Sequence, residues 1–336
     1  MSEHFRGKTL VIQPYPGIGD MLWHLPQLRS IASSVDSGKI SVLTKSRTMA
    51  KQWLMADPII DTIYYCEKDE ILNAAKVMRR ENFQNSVVLH GSFTYGVIPF
   101  LAGIKNRYGY GFKAQKICLN HKPYLESSLA LTHALELGEI YMDRLFGNSV
   151  VNNREVVVDQ SILEAVRKNF KHHRGARICF GVGASDAFKR WPKEFFAELA
   201  IALQADQPSA EIFLLGSPGE QEEIKAISEK IRALNGESIP VYTLSISEVF
   251  AFIKDAGLFV GNDSGLMNAA ACLGIPTLGL FGRTRPLHYV QNLFPITPVT
   301  SNSDNVQSEM KQILPQQVME KYAEIKSLID LGSKKS

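Results

Sequence analysis

The side chains best suited to chemistry lie in short polar breaks between apolar runs. The fullest such stretch is Leu258–Thr284, where the run Leu258–Val260 opens into Gly261-Asn262-Asp263-Ser264-Gly265. The small-residue helix Leu266–Leu273 and a second apolar run, Thr277–Phe281, follow. Strand, glycine turn, helix and strand make a βαβ unit whose turn aims backbone N–H groups and a helix N-terminus at the carboxyl end of a strand, a place suited to a phosphate. Asp263 is the awkward member. A carboxylate beside a phosphate is repulsive unless it caps the helix, accepts a hydrogen bond from the ligand or helps hold a cation.

Three other breaks have the same grammar. Near the N-terminus, Thr9–Gln13 runs into Pro14-Tyr15-Pro16-Gly17-Ile18-Gly19-Asp20, and an amphipathic pattern continues through Leu22, Leu25, Leu28 and Ile31. Asp20 suits either a first-turn acid favoured by the helix dipole or a general base at the carboxyl edge of a strand. In mid-chain, Arg177–Gly181 opens into a loop holding Ser185 and Lys189. There a hydroxyl and an ammonium could converge on a phosphate; the plainer reading is a solvated Lys-Arg pair beside a packed Trp191. Glu220, following the strand Glu211–Leu215, reads as a first-turn acid or as the acceptor for a pair of ribose hydroxyls. His90, just past the strand Ser86–His90, is either structural or turned to a ligand, and with Gly17 and Gly19 it completes the set on the first half of the chain.

These breaks are positioned by a regular alternation. Strands are expected at Lys39–Thr44 and Ile59–Cys66, helices at Arg47–Met55, Asp69–Glu81, Tyr95–Ile104 and Ala134–Phe146, and an extended piece at Asn106–Gly111. In the second half, helices are expected at Ile162–Phe170, from Pro192 or Lys193 to Leu203, at Gln221–Leu234 and at Ser247–Asp255 with Ser247 as its N-cap. A strand is expected at Val241–Leu244, a proline-rich loop beyond Thr284, and a closing helix at Gln316–Leu331. Strand and helix at this rhythm mean α/β architecture, with doubly wound parallel sheets. At 336 residues the chain suits two such domains, with Gly147–Ser149 and Asn152–Arg154 as the linker.

Composition limits the function. Hydrophobic residues make up 45% and charged residues 21%, as in an ordinary globular protein. With 37 Lys and Arg against 34 acidic residues, the net charge of +3 does not argue for nucleic acid. Cys66, Cys118, Cys179 and Cys272 are widely spaced in apolar surroundings and read as reduced core residues of a cytoplasmic protein. The N-terminal apolar run is too short for a signal peptide, and no run reaches about 18 apolar residues. The first glycine turn lacks the third glycine of a dinucleotide fingerprint, Leu22 standing in its place, which weakens an oxidoreductase reading.

Taken in order, L-V-I-Q-P-Y-P-G-I-G-D, G-V-G-A-S-D-A-F-K-R-W-P, L-L-G-S-P-G-E and G-N-D-S-G-L-M-N-A-A-A-C-L-G-I-P-T-L-G-L-F-G-R-T resemble the bacterial heptosyltransferases of glycosyltransferase family 9 across residues 9 to 284. The resemblance implies a GT-B fold, two Rossmann-like domains facing across a cleft. Residues 1–152 would form the acceptor-binding domain and 153–315 the nucleotide-sugar domain; residues 316–336 would form a helix and tail packing back towards the first domain. It implies Asp20 as general base and Lys189, with Ser185, on the donor diphosphate. Asp263, Ser264 and Gly265 match the family's D-T-G turn, and Glu220 lies near the donor ribose. Gly17, Gly19 and His90 fall on the acceptor side. Two positions depart from the pattern: Asn268 stands where the family commonly has His, and Arg283 where it has Pro, adding a possible phosphate contact.

The donor implied is ADP-heptose, and the acceptor a lipid-linked core oligosaccharide at the cytoplasmic face of the inner membrane. The sequence contains no D-x-D motif, so the expectation is catalysis without a metal or other cofactor, with Lys189 and helix N-termini carrying the leaving-group charge. A related transferase with another donor or acceptor and a non-catalytic nucleotide-sugar-binding protein are the rival readings.

Overall fold

The computed structural model describes residues 5–170, 176–298 and 309–333, with side chains through residue 327. The chain divides into two compact units, Met1–Val157 and Val158–Ser336. The division lies five residues beyond the expected 152/153 boundary, because Arg29 donates to the carbonyls of Asn153 and Glu155 and thereby holds the expected linker on the first unit.

The first unit runs β1 (Thr9–Ile12), α1 (Ile18–Trp23), α2 (Leu25–Ser33), β2 (Ile40–Thr44), α3 (Ala50–Trp53), β3 (Ile60–Tyr65), α4 (Ile71–Arg80), β4 (Asn85–Val88), α5 (Phe93–Leu101), β5 (Asn106–Gly109) and α6 (Ala134–Phe146). Its five strands are parallel, in the order β3-β2-β1-β4-β5. The amphipathic stretch after Asp20 is two helices. The chain breaks at His24, since Pro26 has no N–H to extend the first ladder yet suits the opening turn of the second. Leu10, Ile12, Val88, Met78 and Ile98 pack one face of the sheet, and every residue of β1, β2 and β4 is buried, as a sheet covered on both faces requires.

The second unit runs α7 (Gln160–Asn169), β6 (Arg177–Gly181), α8 (Lys193–Asp206), β7 (Glu211–Leu215), α9 (Gln221–Ala233), β8 (Ile239–Val241), α10 (Ile246–Lys254), β9 (Leu258–Asn262), α11 (Gly265–Cys272), β10 (Thr277–Leu280), β11 (Leu293–Ile296) and α12 (Pro315–Ser333). Its six parallel strands follow the order β11-β10-β9-β6-β7-β8. β11 lies in what the sequence presents as loop. Pro295 obscures it, and the strand tolerates that proline because it sits at the sheet edge, where an N–H facing away from the ladder is not needed. The cap of α10 is Ser245, not Ser247: Ser245 Oγ accepts from Glu248 N while the Glu248 carboxylate accepts from Ser245 N, a capping box written as S-x-x-E. The closing helix does not form a separate segment: Val318, Tyr322 and Ile325 of α12 join the core of the second unit, and the Tyr322 hydroxyl and Lys326 ammonium both donate to Asp206.

Strand order decides where each unit can bind a ligand. In the first sheet the winding reverses between β1 and β4, and in the second between β6 and β9. Loops leaving the carboxyl ends at such a reversal diverge to opposite faces and open a crevice. The loops concerned are 13–17 with 89–92, and 182–192 with 263–264.

Candidate functional sites in the two units

In the second unit the crevice centres on an ion pair. Lys189 Nζ lies 2.7 Å from Asp263 Oδ2, with the two side chains 20% and 15% exposed. The Thr284 hydroxyl donates to the same oxygen at 2.8 Å. Asp263 thus has its cation and a hydroxyl donor within the protein, which accounts for a carboxylate at this turn. Ser264, not Asp263, caps α11: its hydroxyl accepts from Met267 N, and Gly265 is the first helical residue. The loop carrying Lys189 is tied to β9 by the wholly buried Asn262, whose Oδ1 accepts from Trp191 N and whose Nδ2 donates to Val182 O. Trp191 packs in the core as the plainer reading expects, but Lys189 is half-buried in its ion pair with Asp263.

The other expected donor residues are distributed differently. Arg283 is exposed, and its guanidinium lies over the Phe188 ring at 5.5 Å, beside Lys189 in sequence. The Ser185 hydroxyl does not join the lysine; it donates to the adjacent Asp186. Glu220 Oε2 accepts from both N–H and hydroxyl of Ser217, the first-turn role, while Oε1 occupies the space a side chain at Gly183 would need: an added Cβ would meet it at 2.0 Å. Asn268 is buried and turned inward, donating to Ser264 O and accepting from the Tyr289 hydroxyl. It braces the loop after β10 against the start of α11.

In the first unit Asp20 is in the first turn of α1, where Oδ2 accepts from Gly17 N at 2.8 Å. Its first-turn role is thus real, and Gly19 lies in the same turn. The peptide carrying Asp20 is held by a buried network absent from the sequence reading. Thr44 Oγ1 donates to Gln13 Oε1, Gln13 Nε2 donates to Asp20 O at 3.3 Å, and His24 Nδ1 meets that same carbonyl at 2.7 Å. The Tyr15 ring packs between His24 and His90, 5.4 and 4.8 Å from their centroids. Burial, then the charge of Asp20, pushes the Tyr15 phenol up to about 12. Lys45, also missed, is buried, donates to Cys66 O and lies 5.4 Å from the Tyr95 ring.

Both histidines are held neutral. Burial lowers His90 to about 4, assisted by the Lys45 charge, and its Nδ1 accepts from Ser92 N. Burial likewise lowers His24 from 6.5 to about 4, against the bond to Asp20 O, and Nε2 of this wholly enclosed ring has no hydrogen-bond partner among the described residues. The unfolded chain therefore binds protons that the folded chain refuses between about pH 6.5 and about 4, so stability is whole above the upper limit and lost towards the lower one. His24 alone accounts for roughly 3 kcal/mol across that window. Thermal unfolding midpoints should fall as the pH is lowered through it, and His24→Asn, which keeps a donor near the Nδ1 position, should show a shallower fall. Parallel pH curves for the two proteins would contradict this assignment.

Among the described residues no group of three or more His, Cys, Asp or Glu is placed to hold a metal ion, and no helix is long and apolar enough to cross a membrane. A further concavity in the second unit, lined by Gln204, Glu211, Ser228, Arg232 and Ile239, lies at the amino ends of β7 and β8 and is not part of the crevice.

Two doubly wound parallel-sheet units, each with polar loops at its winding reversal, define the GT-B class of glycosyltransferases. Residues 71–325 match the model of glycosyltransferase family 9 (heptosyltransferase), and the chain belongs to that family. Lipopolysaccharide heptosyltransferase 1 of Campylobacter coli is 24% identical over 243 residues, 68% of this chain and 70% of the relative. Among solved structures, E. coli ADP-heptose lps heptosyltransferase II superposes with a TM-score of 0.77 at 22% identity, covering 97% of this chain and 100% of that one. E. coli heptosyltransferase WaaC with ADP-2-deoxy-2-fluoro heptose superposes at 0.69 with 18% identity, covering 95% and 99%. The protein is a glycosyltransferase.

Proposed function

We propose that the protein is an inverting heptosyltransferase that moves a heptose from ADP-heptose to a sugar hydroxyl of the lipopolysaccharide inner core, working at the cytoplasmic face of the inner membrane. The observation that carries this reading is the Lys189–Asp263–Thr284 cluster at the winding reversal of a family 9 chain. The names of its relatives support the donor and the acceptor: one is a lipopolysaccharide heptosyltransferase, and one solved neighbour holds an ADP-heptose analogue.

In the proposed reaction Asp20 takes the proton of the acceptor hydroxyl, and the oxygen attacks the anomeric carbon from the face opposite the diphosphate. The bond from that carbon to the diphosphate oxygen breaks, ADP departs with the electron pair, and the configuration inverts. Charge developing on the leaving group is met by the Lys189 ammonium, the Arg283 guanidinium and the N–H groups opening α11. A lysine already held by Asp263 needs no ordering when the donor arrives, so more of its attraction remains for the transition state.

The deciding experiment offers a panel of nucleotide sugars with heptose-free core lipopolysaccharide. Transfer from ADP-heptose, with little or none from the other donors, is the expected result. Preferred transfer from a different donor would move the assignment to a related transferase, a reading that the inward-turned Asn268 makes worth testing. Tight donor binding without turnover on any acceptor would favour the non-catalytic reading.

A further inference from the structure

We propose that α5 and the turn that follows β5 form a face that docks on an anionic lipid bilayer. The first observation is apolar exposure. Phe93 and Phe100, seven residues apart and so on one side of α5, are 46% and 49% exposed, and Ile117 on the neighbouring turn Lys113–Ile117 is 74% exposed. Met55, Leu72 and Leu131 of this unit are exposed as well, but Phe93, Phe100 and Ile117 share one helix and the turn packed against it.

The second observation is charge. Between Glu81 and Glu126 the chain contains no Asp or Glu, yet it carries Lys105, Arg107, Lys113, Lys116 and Lys122. All four lysines are exposed. A stretch that exposes large apolar side chains and lysines and contains no acid complements a surface of anionic headgroups over acyl chains, where each basic residue adds attraction and each inserted apolar side chain anchors.

The face is also rigid. Gly96 of α5 lets the turn lie close, since an added Cβ would meet Gln115 Cγ at 2.9 Å. Gln115 donates to the carbonyls of His90 and Ser92, and its Oε1 accepts from Gly111 N. Arg107 lies over the Phe100 ring at 5.5 Å while donating to Cys118 O and Ile104 O, so it joins the helix, the strand and the turn. The exposed apolar groups are therefore presented by a packed surface and are not the product of a loose loop. Docking through this face brings the His90 loop, at the amino end of α5, near the headgroup region, where a lipid-linked acceptor would be met.

The proposal does not require the transfer reaction, and its test is independent of it. The full chain is sedimented with vesicles of phosphatidylcholine alone and of phosphatidylcholine mixed with phosphatidylglycerol. Binding is expected to the mixed vesicles only, and to weaken with salt. Lys113→Glu with Lys116→Glu should weaken it by at least about tenfold. Phe100→Ser with Ile117→Ser should weaken it by about as much through lost insertion, with the melting midpoint of each double variant near that of the parent. Absence of vesicle binding, or equal binding by all three proteins, would overturn the proposal. So would unchanged vesicle binding together with loss of a soluble sugar phosphate from the lysine variant, which would assign these cations to a phosphorylated acceptor. Transfer to a delipidated core oligosaccharide, measured alongside, reports on the reaction separately.

Discussion

Asp20→Asn is expected to fold, to bind ADP as the parent does, and to transfer heptose about 10²- to 10⁴-fold more slowly, the range over which a positioned general base contributes. The substitution is chosen from the geometry. Oδ2 of Asp20 accepts from Gly17 N, a bond that the amide oxygen of Asn can keep, so the opening turn of α1 retains its partner. What is lost is the negative charge beside the helix start, worth about 0.3–1 kcal/mol, and the ability to take a proton. Gln13 and His24 still hold the Asp20 peptide, because they bond its carbonyl oxygen and not its side chain, and Thr44 still holds Gln13. Rate and stability should therefore separate: a large loss in kcat beside a small change in melting midpoint. Transfer at the parental rate would reduce Asp20 to its first-turn role and leave the base unassigned.

Lys189→Ala should lower kcat/KM for the donor by about 10²- to 10³-fold, the usual consequence of removing one preorganised donor from a developing anion. Two losses act together. The ammonium is gone, and Asp263, only 15% exposed, retains the Thr284 hydroxyl but lacks its cation beside the incoming diphosphate. The second loss can be isolated. Asp263→Asn added to Lys189→Ala removes the repulsion, so the double variant should bind ADP more tightly than the lysine variant alone, and the two substitutions should be strongly non-additive. Calorimetric titration with ADP measures this directly. Unchanged ADP affinity in Lys189→Ala would remove the lysine from the donor site and leave its ion pair a structural contact.

Much of the fold was legible because its signals are local. Apolar runs bounded by glycine turns mark β1, β6, β7, β9 and β10, and the pattern at Ala134–Phe146 coincides with α6. Prolines misled in two directions. Pro26 hid a helix break inside a continuous apolar pattern, and Pro295 hid an edge strand, because the cost of a proline depends on whether a neighbour needs its N–H. The Ser245 capping box could have been read from S-x-x-E.

The candidate site was legible as a set of polar residues at strand ends, and not as a set of contacts. Lys189, Asp263, Ser264 and Gly265 stood out by residue type and by position after a strand. That Lys189 pairs with Asp263, 74 residues away, was not legible, nor was it that Ser185 turns to Asp186, that Asn268 faces inward and that Glu220 caps its own turn. Thr44, Gln13 and His24 were invisible as a network because each is ordinary in its own segment.

By itself, then, the sequence determined the alternation of strand, glycine turn and helix, the two-sheet architecture and the polar residues that follow the strand ends, since periodicity and turn chemistry act over a few neighbours. Only the tertiary structure decided which of those residues meet. The order of strands places the loops of β1 beside β4 and of β6 beside β9, and burial then sets which histidines stay neutral and which carboxylate finds a cation. Those outcomes depend on distances across the sheet and on exclusion of water, and neither is written in any short stretch of chain.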